Sequence, residues 1–173
     1  MTTTLSAIRD DITKLQVDVI VNAANSSLLG GGGVDGAIHR AEGPELVHEC
    51  RLLGGCKTGD AKVTNAYRLP AKRIIHTVGP VWRGGNDGEA ELLASCYRRS
   101  IEIAISEQWT SIAFPSISTG IFGYPIDLSA PLAIVTVHDA LSQSDMIEKV
   151  IFCCFSQSDL DVYEQALKRH QGG

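Results

Sequence analysis

No stretch of the sequence approaches the roughly 18 consecutive apolar residues that a membrane-crossing helix needs. The opening Met-Thr-Thr-Thr-Leu-Ser-Ala-Ile has neither a basic head nor a long apolar core, so neither secretion nor membrane insertion is expected. Positive charge is not in excess either. The net charge is −5 and the pI about 5.5, so no overall basic field draws the chain onto nucleic acid, and direct nucleic-acid binding is not expected. The five cysteines are odd in number and never spaced Cys-x-x-Cys, and Cys153 and Cys154 are adjacent inside an apolar run. That pattern fits reduced thiols and a cytoplasmic location rather than a disulfide framework.

Several catalytic signatures are missing. There is no His-Glu-x-x-His and no tight Cys/His cluster, so no metal is expected. No Gly-Lys-Ser/Thr completes a P-loop, and no Gly-x-Ser-x-Gly elbow supports a serine hydrolase. Repeats, low-complexity tracts and linkers are absent, and 173 residues suit a single domain over 1–173 with one sizeable core.

What the chain does have is concentrated in residues 20–40. An apolar strand end runs into the corner Asn22-Ala-Ala-Asn25, then into the four glycines Gly30 to Gly33, then into a short turn carrying Asp35 towards a helix. Glycine is costly in backbone entropy and is expected where the chain must approach a ligand or take positive φ. Successive N–H groups opening onto a helix N-terminus form a concavity for phosphate, with Asn25 and Asp35 placed to hold a sugar or a water. Residues 31–36 satisfy G-x-G-x-x-G, but a Rossmann site needs its glycines directly after a strand, and Ala23 to Gly30 intervene. His39 stands four residues after Asp35 and would share its helix face; a structural, partly buried histidine is favoured over a catalytic pairing.

The remaining pattern alternates strand and helix. Strands are expected at residues 4–8, 17–21, 61–66, 73–78, 111–115 and 149–155, the last as a buried strand. Helices are expected at 34–41, 44–53, 89–108, 127–142 and 159–170, with Pro44 at a first turn and Gly54-Gly55 as a stop. This gives an α/β layered domain with its ligand loops at strand ends. Asp11 falls in a turn after the first strand, where it could cap a helix or accept a hydrogen bond from the amine of a base. Ser116 to Pro125 forms a second polar, glycine-bearing loop, in which Phe122 either packs the loop or walls a sugar.

Taken together these segments resemble one family, the macrodomains, and within it the MacroD-type ADP-ribosyl hydrolases and bacterial O-acetyl-ADP-ribose deacetylases. The resemblance rests on Asp11-Ile-Thr, Asp18-Val-Ile-Val-Asn-Ala-Ala-Asn25, Gly31-Gly-Gly-Val-Asp-Gly-Ala-Ile-His39, His76-Thr-Val-Gly-Pro80 and Ser118-Thr-Gly-Ile-Phe-Gly-Tyr-Pro125, in that order. It implies a three-layer α/β/α sandwich around a mixed, roughly six-stranded sheet, with ADP-ribose in a cleft at the strand ends. By matching position, Asp11 accepts from the adenine amine with the Ile12 backbone beside it. Gly31, Gly32, Gly33 and Val34, together with Ser118, Thr119, Gly120, Ile121 and Phe122, cradle the diphosphate. Asn25 holds the distal ribose, Phe122 packs over it, and Asp35 holds the attacking water. The implied reaction is hydrolysis of O-acyl esters on the distal ribose without cofactor or metal, releasing acetate from O-acetyl-ADP-ribose or freeing Asp and Glu of mono-ADP-ribosylated proteins. Two positions depart from the family pattern: Asp10, where glycine is common, and Phe122, often tyrosine, so a role for a hydroxyl there is not carried over. The alternative is a reader that binds ADP-ribose without turnover. A phosphatase acting on ADP-ribose phosphate and an RNA-associated regulator are weaker rivals, the last disfavoured by the acidic charge.

Overall fold

In the computed structural model, which describes residues 3–172, strands and helices alternate. The strands are β1 (Thr4–Arg9), β2 (Val19–Ala23), β3 (Ala61–Asn65), β4 (Arg73–Thr77), β5 (Ser111–Phe114) and β6 (Lys149–Cys154). The helices are α1 (Gly33–Glu42), α2 (Pro44–Leu53), α3 (Glu89–Ser106), α4 (Ile126–Leu141) and α5 (Gln157–Gly172), with one 3-10 turn at Ile12–Lys14. The six strands form one mixed sheet in the order β1-β6-β5-β2-β4-β3, parallel throughout except for β3 against β4. Among the described residues no helix is long and apolar enough to cross a membrane.

Side-chain alternation divides the core between the two faces of this sheet. Val19 and Val21 of β2, Ile112 and Phe114 of β5, and Val150 and Phe152 of β6 face the layer made by α3, α4 and α5. Ile20, Ala113, Ile151 and Ile74 face the layer of α1 and α2. The larger layer is filled by aromatic rings: Phe114 lies 5.1 Å from Tyr97 and 6.0 Å from Phe152, which lies 5.3 Å from Tyr163. Fully burying a side chain of this size contributes about 1.5–3 kcal/mol.

Local chemistry sets the element ends. Gly43, at φ +82, lets α1 stop and α2 begin at Pro44 without a gap, and Gly54 takes the left-handed conformation that ends α2. β2 starts at Val19 rather than at Val17, as its apolar run suggested. Asp18 is spent on a corner: its N–H donates to Ser111 Oγ, its carbonyl accepts from Lys72 and Arg73, and its carboxylate accepts from Thr110. β6 ends one residue earlier than expected, because its pairing with β1 runs out at Arg9 opposite Cys154. Phe155, read from the sequence as the last residue of a buried strand, is instead 92% exposed. All five cysteines are buried and unpaired.

The parallel strands direct their carboxyl ends to one rim, where loops from different strands gather. Both glycine-bearing loops and Asp11 leave the sheet there.

Candidate functional site

β2 delivers the polar corner onto this rim. Asn25 shapes it with its own side chain: the amide donates to Gly30 O at 2.9 Å, while the carbonyl accepts from Ser27 Oγ at 2.7 Å and Leu28 N at 3.2 Å. One amide hydrogen of Asn25 remains free to donate. Leu28 is fully buried yet held at φ +64, a conformation that branched and bulky residues rarely tolerate, so the corner is over-determined by its surroundings.

Asp35 lies in the first turn of α1 and is only 4% exposed. Its Oδ1 accepts from Asn22 Nδ2 at 2.9 Å and faces His39 Nε2 at 3.4 Å, whereas Oδ2 is buried without a hydrogen-bond partner. A Cβ placed on Gly31 would stand 3.2 Å from both Asp35 Oδ2 and Asn25 Nδ2. The two polar atoms therefore converge on one small space that only glycine at position 31 leaves open. The His39 ring packs beneath Gly30 and is partly buried, and it shares the helix face of Asp35, as the sequence spacing suggested.

The N-terminus of α1 is uncapped by any side chain, since Gly32 stands at the capping position. The first-turn N–H groups of Gly33, Val34 and Asp35 thus have no intrahelical acceptor, and the helix dipole adds partial positive charge. Gly31, Gly32 and Gly33 are exposed, and Val34 is half-buried. Gly36 seats this loop: a Cβ there would run into Gly31 O.

The second loop lies alongside. Ser118 is buried at φ +69 with no partner for its hydroxyl, and its carbonyl accepts from Tyr124 N. Ile117 N donates to the Tyr97 hydroxyl at 3.3 Å, which ties the loop entrance to the aromatic core. The Thr119 hydroxyl is turned inward onto Ser116, and Gly123 N closes the tip onto Gly120 O. The N–H groups of Thr119, Gly120, Ile121 and Phe122 make no hydrogen bond among the described residues. Ile121 is 85% exposed, and its Cδ1 would lie 3.2 Å from a Cβ on Gly32, so the two loops meet at that point. Phe122 is half-buried, and its carbonyl accepts from Trp82 N at 2.8 Å. Trp82 meets Tyr124 at a tilt of 53° with ring centres 4.7 Å apart, and the loop after it is held by Glu89, whose carboxylate accepts from the N–H groups of Arg83, Gly85 and Asp87. Those donors, Arg83 foremost, hold the Glu89 carboxyl down at about 2.

At the far end of the rim, Asp11 caps the 3-10 turn, its Oδ1 accepting from Thr13 Oγ1 at 2.7 Å and Thr13 N at 3.0 Å. The Thr13 hydroxyl is the main cause that holds this carboxyl below its usual range. Capping and ligand recognition are therefore compatible, since Asp11 is exposed and its Oδ2 makes no hydrogen bond among the described residues, while the neighbouring Ile12 is buried. Asp10 folds back, its carboxylate accepting from Asp11 N, and its own N–H donates to Cys154 O. That bond brings the bare ring of Phe155 to the same end as Asp11, a placement that sequence reasoning missed.

A sequence model of the family described as Macro domain matches residues 21–133. The chain is 67% identical over 163 residues to a macro domain-containing protein of Chlorobaculum tepidum, a match covering 94% of this chain and 95% of that one. It is 51% identical over 171 residues to an O-acetyl-ADP-ribose deacetylase of Salmonella typhimurium, covering 96% of each. Its fold superposes with a TM-score of 0.94 on an Oceanobacillus iheyensis macrodomain variant with ADPR, at 44% identity and with 99% of this chain and 95% of that one covered. Solved variants of that macrodomain replace an asparagine, a glycine and an aspartate separated by seven and three residues.

Proposed function

The chain belongs to the macro domain family, and on that premise we propose that it hydrolyses O-acyl esters on the distal ribose of ADP-ribose: O-acetyl-ADP-ribose to ADP-ribose and acetate, and mono-ADP-ribose from Asp and Glu side chains of proteins. Residues 1–173 act as one such domain, and the five unpaired thiols suit a cytoplasmic setting. The observation that carries the reading is the convergence of Asp35 Oδ2 and Asn25 Nδ2 on the Gly31 position, with Oδ2 buried and unpartnered. Asn25, Gly32 and Asp35 also share the seven- and three-residue separations of the positions altered in the Oceanobacillus iheyensis protein.

The ligand follows from the donors available. The free N–H groups at the start of α1 and in the second loop bind the diphosphate by backbone donation, which suits an acidic protein with no basic field of its own. Asp11 Oδ2 accepts from the exocyclic amine of adenine, and the Phe155 ring offers its face to the base. Asn25 donates its remaining hydrogen to the distal ribose. A water bound to Asp35 Oδ2 donates its second hydrogen to a substrate phosphate oxygen and turns a lone pair towards the ester; as its carbon–oxygen bond forms the ester carbon–oxygen bond breaks, and the proton held between the carboxylate and the phosphate passes to the departing oxygen, leaving ADP-ribose and the free acid. Since an ordinary aspartate is a weak base near neutral pH, positioning supplies much of the rate.

The test is turnover of O-acetyl-ADP-ribose without added metal. Asp35→Ala is expected to lower kcat by roughly 10²-fold or more, the range for losing a positioned proton acceptor, while ADP-ribose still binds. Asn25→Ala should cut kcat about tenfold. Tight binding of ADP-ribose by a wild type that shows no turnover would overturn the hydrolase and leave a reader of ADP-ribose.

A further inference from the structure

Three buried polar side chains lie behind Asp35 on adjacent strands: Asn22 on β2, His76 on β4 and Thr64 on β3, each 0% exposed. Asn22 and His76 are paired across the parallel β2–β4 ladder, and both project towards the α1 layer on the face that carries Ile20 and Ile74. Apolar residues would fill these places with no polar group to desolvate, so three polar ones are costly unless their contacts are needed. None of them reaches the surface to meet a ligand.

We propose that Asn22, His76 and Thr64 are positioning residues, a directional hydrogen-bond relay that fixes the Asp35 carboxylate with Oδ1 tied down and Oδ2 presented to the attacking water. This inference rests on the hydrolase reading above.

The direction follows from donor chemistry. Asn22 Nδ2 lies 2.9 Å from Asp35 Oδ1 and 3.1 Å from His76 Nδ1. An amide nitrogen only donates, so its two hydrogens go to these two atoms, and His76 Nδ1 must be a bare acceptor. The proton of a neutral imidazole then sits on Nε2 and is donated to Thr64 Oγ1 at 2.8 Å, and the Thr64 hydroxyl passes its own hydrogen to Asn65 O at 3.1 Å. Burial, before any other cause, lowers the His76 pKa to about 4, in keeping with a neutral ring. Turning the Asn22 amide over would set its carbonyl against the Asp35 carboxylate, so each link excludes the wrong orientation of the next. Thr64 selects the His76 tautomer, His76 selects the Asn22 rotamer, and Asn22 selects the oxygen that Asp35 keeps free.

The variant that tests this is Thr64→Val, which keeps the side-chain shape and removes only the hydroxyl at the far end of the relay. It is expected to lower kcat for O-acetyl-ADP-ribose about tenfold, the worth of one well-placed hydrogen bond, with KM and the calorimetric Kd for ADP-ribose unchanged within about twofold. Thr64→Ser should restore kcat. In 15N NMR spectra the wild-type His76 should show the Nε2–H tautomer, and Thr64→Val a mixture of both. Unchanged kcat per folded molecule in Thr64→Val, accompanied only by a lower Tm, would reduce these residues to fold support and overturn the relay. An Nδ1–H tautomer in the wild type would overturn it whatever the turnover. A wild type without turnover would refute the hydrolase reading instead, and the relay would then stand or fall on the His76 tautomer and on the Asn22 side-chain amide shifts in Thr64→Val.

Discussion

Two glycines five residues apart in sequence, Gly31 just before α1 and Gly36 within it, separate activity from stability. Gly31 needs its missing side chain for space, because a methyl group would stand between Asp35 Oδ2 and Asn25 Nδ2 on an exposed loop. Gly31→Ala is therefore expected to cut kcat/KM about 10²-fold with Tm nearly unchanged. Gly36→Ala would instead drive its methyl group into Gly31 O within the first turns of α1 and cost about 1–3 kcal/mol, lowering Tm as well as activity. Thermal unfolding followed beside steady-state kinetics distinguishes the two. Phe155 makes the complementary case: at 92% exposure its loss should leave Tm unchanged, while calorimetry of Phe155→Ala shows ADP-ribose binding weakened about tenfold through lost base stacking. Asn25, Asp35 and the glycines were legible in the sequence because such residues after a β-branched run have few structural uses. Thr64 was not, and His76 stood out only as part of a family motif with no role attached, since a polar residue in an apolar strand shows its partner only when the register is known. Phe155 was misread for a related reason: nothing in Phe-Cys-Cys-Phe marks where β1 stops pairing.

Among the elements, α1 carries the site at one end and a buried acid at the other. Glu42 is 0% exposed, and neither carboxylate oxygen has a hydrogen-bond partner among the described residues. Burial pushes its pKa up to about 7, opposed only in part by the backbone N–H groups of Arg68 and Leu69, which lie near the carboxylate without meeting hydrogen-bond geometry. The ordinary value is 4.5, so between about pH 4.5 and 7 the folded chain keeps a proton that the unfolded chain has released. The contribution of Glu42 to stability thus falls as pH rises through that window and is level above it. Glu42→Gln removes this dependence, and its Tm relative to the wild type should climb between pH 5 and pH 8. A constant difference across that range would contradict the assignment. The helices themselves were the most legible part of the fold, since Pro44, Gly54 and the three-and-four spacing in α3 mark their ends and faces. The acid at the end of α1 was not, because a glutamate before Gly43-Pro44 looks like any solvated last turn.

At the scale of the molecule, strand order decides which parts of a ligand are held by which parts of the chain. Asp11 follows β1, and the Asn25 and Asp35 corner follows β2, with β6 and β5 lying between them in the sheet. Three strand spacings of about 4.8 Å set these two ends roughly 14 Å apart across a rigid, hydrogen-bonded frame. On the proposed reading the sheet is in effect a ruler, one that would measure a nucleotide by its length before any group on it reacts. A ligand anchored at the adenine end gains the distal contacts only if its chain is long enough to arrive there. Affinity by calorimetry should therefore rise stepwise from AMP to ADP to ADP-ribose, and a flat series would deny the frame this role. On the proposed hydrolase reading, turnover at the β2 corner is expected only for esters borne by the far sugar, because a shorter nucleotide held by its base stops short of Asp35.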